Sequence, residues 1–156
     1  MSTIKVDTYL TRGGASEIAI DKLKGASSAA SISVVGEGGT TTTNLQQGLT
    51  KAWFNLNAAT PALRDSFNIT NVTDEGTGFY EGNFTSAMSN GDYSVSGSMS
   101  TKSSGNSYSG ILTTGDESDT YGLHSTASIR VNLYANNFTA QKDPSMVQAN
   151  VNGDLA

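Results

Sequence analysis

The chain has 156 residues, of which 36% are hydrophobic and 15% charged, with a net charge of −5 at neutral pH and no cysteine. That length allows one domain, or a small domain plus an arm. The acidic balance and nine scattered Lys and Arg residues speak against a phosphate-neutralising nucleic-acid surface. Without cysteine there are no disulfides and no thiolate metal sites.

Residues 1–14 (MSTIKVDTYLTRGG) carry no apolar core of a secretory signal. No apolar run reaches the roughly 18–20 residues of a membrane-spanning helix. Gly, Ser, Thr and Asn supply 70 of the 156 residues, which suits strands joined by many turns and faced with hydroxyls. The low hydrophobic fraction implies a small core for a lone monomer. Burial between copies of the chain is therefore expected, with a homotrimer as the expected oligomer.

Residues 1–50 are expected to form an extended attachment arm and linker. Ile4, Val6 and Thr8 alternate with Lys5, Asp7 and Tyr9, the pattern of a short strand. Gly13-Gly14 breaks it, and residues 17–21 alternate again. Residues 26–33 (ASSAASIS) and 36–43 (GEGGTTTT) are too poor in apolar side chains to fold alone. Residues 44–49 read as one helical turn or a loop.

Regular strand signals begin at Lys51. Ala52, Phe54 and Leu56 share one face, with Trp53 and Asn55 on the other. Thr60-Pro61 and Arg64-Asp65 mark a connection. Residues 67–73 and 79–87 read as a hairpin closed by the five-residue loop 74–78. Asn90-Gly91-Asp92 is a turn, followed by Tyr93, Val95, Gly97 and Met99 alternating with serines.

Residues 102–106 form another turn, 108–114 a strand and 115–119 an acidic loop. Ala127, Ile129, Val131 and Leu133 then alternate with Ser128, Arg130, Asn132 and Tyr134. Ala135-Asn136-Asn137 and Asp143-Pro144 flank a loop, and Val147, Ala149 and Val151 form a last strand. About seven strands at this spacing predict an all-β fold. It is an antiparallel β-sandwich or jelly-roll-like domain over 51–156, with an extended N-terminal arm over 1–50.

Residues capable of chemistry are sparse. His124 is the only histidine, and no nucleophile-elbow pattern accompanies it, so a Ser–His–Asp assembly is not expected. Asp116, Glu117 and Asp119 offer oxygen ligands for calcium, but outside any EF-hand spacing. They read as a solvated loop tip, as does Asp74-Glu75. Four Asn-x-Thr patterns start at Asn68, Asn71, Asn83 and Asn137 and read as ordinary strand residues. Trp53 is expected to fill the core, the alternative being an inter-subunit contact. Tyr108 and Tyr121 read either as stacking surfaces for the sugar rings of a polysaccharide or as caps on strand ends. No cofactor, metal or catalytic residue is expected.

Several stretches together resemble short C-terminal domains in virion proteins of marine tailed bacteriophages, often labelled tail-fibre proteins. They are Lys51-Ala52-Trp53-Phe54-Asn55, Ser66-Phe67-Asn68-Ile69, the turn 73–78, Asn83-Phe84-Thr85 and Ala87-Met88 with Tyr93. Residues 125–133 (STASIRVNL), the terminal Gly153-Asp154-Leu155-Ala156 and the opening residues 1–7 extend the similarity. The resemblance implies a β-rich, non-enzymatic virion component exposed on the particle. A tail-fibre-like or receptor-binding protein is the leading expectation and a capsid decoration protein the alternative. A carbohydrate-active depolymerase is the alternative of a different class. Expected partners are copies of itself, capsid or tail proteins, and host surface polysaccharide. A shaft repeat, which a long fibre needs, is missing from the chain.

Overall fold

A computed structural model describes residues 21–25, 32–103, 106–113, 124–134 and 141–156. The described residues are all-β, with every ladder antiparallel and no helix. The expected strand at 4–9 and the loops at 115–119 and 135–137 lie outside them.

A two-stranded hairpin, β1 (Ser33–Val35) and β2 (Thr42–Asn44), stands apart from the main sheet. The remaining strands are β3 (Ala52–Asn57), β4 (Ala62–Phe67), β5 (Ile69–Gly76), β6 (Phe79–Phe84), β7 (Ser94–Ser103), β8 (Asn106–Thr113), β9 (Ser128–Tyr134) and β10 (Met146–Asn152). They form one ladder in the order β4-β3-β10-β7-β8-β9-β6-β5. Its stretch β10-β7-β8-β9 is a Greek key, the fourth strand lying beside the first.

The ladder turns its corner in β8. Residues 106–110 pair with β7, and residues 111–113 pair with β9. Its two edges, β4 and β5, are consecutive in the chain with only Asn68 between them. Asn68 takes a left-handed conformation (φ 57°), which asparagine tolerates better than most residues. Its amide Nδ2 donates to the Ser86 carbonyl (3.0 Å) and its Oδ1 accepts from the Ser86 N–H (2.7 Å). The sheet thus rolls into a sandwich whose layers face one another across a shared core.

Alternation builds that core, strictly on β3 and β10, whereas on β9 the intervening Ser128 and Asn132 are buried as well. Ala52, Phe54 and Leu56 on β3, Ile129, Val131 and Leu133 on β9, and Val147, Ala149 and Val151 on β10 are each no more than 2% exposed. With Tyr80, Met88, Tyr93, Met99 and Ile69 they form one cluster. One chain by itself thus supplies a contiguous buried cluster. Gly82 on β6 leaves room for it. A Cβ there would lie 3.2 Å from Ile129 Cγ2 and 3.5 Å from the edge of the Phe54 ring.

Four local expectations are corrected. Arg64-Asp65 are not a connection. They lie in β4, where Arg64 is the extra residue of a bulge between the pairs Asn55–Asp65 and Leu56–Leu63. β4 therefore brings the ladder to eight strands among the described residues, where about seven were expected. Phe67 ends β4 instead of opening β5, because the left-handed Asn68 breaks the run. The β5–β6 turn is only Thr77-Gly78, since β5 runs on through Asp74 and Glu75 to Gly76.

The fourth correction concerns the low-complexity segment, which forms the β1–β2 hairpin and its loop. Gly36 N–H donates to the Thr41 carbonyl (2.8 Å), and Gly39 occupies a positive φ of 77°. Residues 45–49 make a single helical turn, closed by Gly48 N–H to the Asn44 carbonyl (3.2 Å).

Candidate functional site

Several residues singled out for chemistry, Asp116, Glu117, Asp119 and Tyr121, lie outside the described residues, as does the pattern at Asn137. Tyr108 lies on β8. Asp74 Oδ1 accepts from the Gly76 N–H (3.0 Å) and so shapes the β5–β6 turn. Among the described residues no three His, Asp or Glu side chains come together as a metal site.

His124 immediately precedes the turn into β9. Its imidazole stacks on the Tyr93 ring at 4.6 Å between centroids, and Tyr93 meets Phe84 edge-on at 5.8 Å. Burial pushes the His124 pKa below its ordinary value, and its Nδ1 is buried with no hydrogen-bond partner among the described residues. The adjacent Ser125 hydroxyl accepts from the Ser128 N–H (2.9 Å) and the Ala127 N–H (3.2 Å), and so shapes the turn into β9. The imidazole is thus a packing ring of the sandwich end.

A pH dependence follows. Between the ordinary value of about 6.5 and the lowered folded value, the unfolded chain binds a proton that the folded chain refuses. Stability is full above that window and falls as pH drops through it. His124→Phe keeps a ring and removes the proton site. Its melting temperature should fall less than that of the wild type between about pH 7.5 and about pH 5. Equal slopes for the two proteins would refute the assignment.

A second polar cluster clamps three loops. The Tyr80 hydroxyl lies 2.9 Å from both the Ala58 carbonyl and Asp143 Oδ1, and Gly78 N–H donates to the same carboxylate oxygen (2.6 Å). Burial, reinforced by Asp143, raises the Tyr80 pKa and keeps the phenol neutral. Ala58 and Ala59 N–H both donate to the Pro144 carbonyl. Sequence reading marked Asp143-Pro144 only as a loop flank, because nothing local shows that its carboxylate reaches β6.

The outer face of β4-β3-β10-β7 carries the remaining feature. Trp53, expected in the core, lies instead on this outward face, half-buried. Opposite it stand Phe67 on β4, 52% exposed, and Asn150 on β10, itself opposite Ser96 on β7. The adjoining row is Asp65, Asn55, Gln148 and Ser98. Trp53, Asn55, Gln148 and Asn150 line an open depression of about 240 Å³ whose floor is the Phe54 and Ala149 stretch of β3 and β10. The β4 bulge turns Arg64 onto this face. Its guanidinium donates to Asn55 Oδ1 (3.4 Å) and to the Ser145 carbonyl (2.6 Å). The amide NH2 of Asn55 is thereby oriented away from the arginine.

Comparison with protein-family models, curated proteins and solved structures finds no match.

Proposed function

We propose that the chain is a non-enzymatic structural protein of a bacteriophage virion, held on the particle by the segment before β3 and presenting the sandwich outward. A tail-fibre-like, receptor-binding role is favoured, with capsid decoration as the second reading. The resemblance of residues 51–93 and 125–133 supports the setting. The observation that carries the mode of attachment is the β1–β2 hairpin. It shares no ladder with the sandwich, and Val34 and Val35 are 50% and 58% exposed. A two-stranded hairpin is marginal in water without something to pack on. A neighbouring subunit or particle protein supplies that surface. Residues 46–51 are moored to β10 and the residues after it through Gln47 to Asp154 and Lys51 N–H to the Val151 carbonyl (2.8 Å), while Lys51 Nζ donates to the Gln46 carbonyl within the segment itself.

Deleting residues 1–45 should leave a folded sandwich that no longer joins the particle. Unfolding of the truncated chain, or its normal incorporation, would overturn the attachment role. Quantitative mass spectrometry of purified particles separates the two settings. A few copies per virion fit a fibre, and hundreds fit decoration of the shell. A depolymerase would instead degrade polysaccharide, with activity lost on changing Asp116 or Glu117.

A further inference from the structure

The geometry points to a binding site for neutral polysaccharide on the outer face of β4-β3-β10-β7, with Trp53 as the stacking platform. A sugar ring presents an apolar C–H face and an equator of hydroxyls. The face matches a rigid indole, which gives large contact area at low entropic cost. The hydroxyls match side-chain amides, each of which carries two donors and an acceptor. Asn55, Gln148 and Asn150 surround Trp53 in this way.

No ionised side chain lines the depression, and the carboxylate of Asp65 stands beside Asn55 on the same face, so a uronate carboxylate there would gain no ion pair from the lining and would meet a like charge at the rim. Arg64, at the rim, is engaged with Asn55 and Ser145. The volume of about 240 Å³ falls below the roughly 300 Å³ of an enclosed ligand pocket. It therefore takes one ring of a longer chain. The row Phe67–Trp53–Asn150–Ser96 crosses four strands, about 14 Å at ordinary strand spacing. Neighbouring rings can lie along that track, against the Phe67 ring on one side and the serine hydroxyls of β7 on the other.

This inference rests on the surface-exposed reading above, naming its partner class, but is tested on purified protein, so the two fail separately. Trp53 is the only tryptophan, and its fluorescence reports directly on the site. Full-length protein is titrated with neutral gluco-, manno- and galacto-oligosaccharides, and in parallel with uronate oligomers. At least one neutral series should change the Trp53 emission saturably, with Kd near about 1 mM or tighter. Gln148→Ala and Asn150→Ala should each weaken that binding about tenfold without moving the melting temperature.

No response to any neutral sugar would overturn the site. So would preference for uronates, or binding unchanged in the two variants. Emission that changes with protein concentration alone would assign the face to a second copy of the chain instead. Loss of sugar binding with normal particle incorporation sinks this site and spares the virion reading. The reverse result does the opposite.

Discussion

Replacing Phe54 by alanine should lower the free energy of unfolding by about 3–5 kcal/mol, the range for a fully buried phenylalanine. Phe54 is 2% exposed on the inner face of β3, and the edge of its ring meets β6 at Gly82. One side chain therefore joins the two layers, and its loss opens a cavity between sheets that their hydrogen-bonded ladders hold apart. Equilibrium denaturation with urea measures the change. Because domains of this size are stable by only about 5–15 kcal/mol, much of the margin should disappear. A cost below about 1 kcal/mol would mean that the layers do not pack through this residue.

Gly78→Ala should be comparably damaging for a different reason. Gly78 sits at φ 71° in the β5–β6 turn, a conformation that costs a non-glycine residue about 1–3 kcal/mol. An added Cβ would also lie 2.8 Å from the Leu133 carbonyl oxygen, the Lys142 nitrogen and Gln141 Cβ. Two of those atoms are backbone, so no rotamer change relieves the clash, and overpacking adds about 1–3 kcal/mol. The same residue donates to Asp143 and accepts from the Leu133 N–H (2.8 Å), so any shift also loosens the Tyr80–Asp143 clamp. Gly38→Ala, where the added methyl meets open space, is the control. A melting temperature for Gly78→Ala as high as the control's would show that the turn can move away.

These two sites also mark what a sequence can and cannot reveal. Phe54 was legible as a core residue, because alternation through residues 52–56 sets it beside Ala52 and Leu56. Gly78 was legible only as part of a loop. Its positive φ and its contacts with residues 133, 141 and 142 join segments more than fifty positions apart. The Tyr80–Asp143 hydrogen bond and the His124–Tyr93 stack were hidden in the same way.

Local chemistry alone determined the all-β class and the buried faces of β3, β9 and β10. It also fixed the turn at Asn90-Gly91-Asp92, where Asp92 N–H donates to Asn90 Oδ1 (2.8 Å). A period of two is a property of the strand itself, so it survives whatever the strand pairs with. Pairing decided the rest. Arg64-Asp65 became strand because a bulge let β4 lie along β3. Residues 36–41 became a hairpin loop, and Thr42 and Thr43 a strand, because β1 and β2 found one another. Trp53 faces outward because the core closes on the other side of β3, around Phe54. The alternation placed Trp53 opposite Phe54, but only the folded ladder decided which of the two faces would be covered.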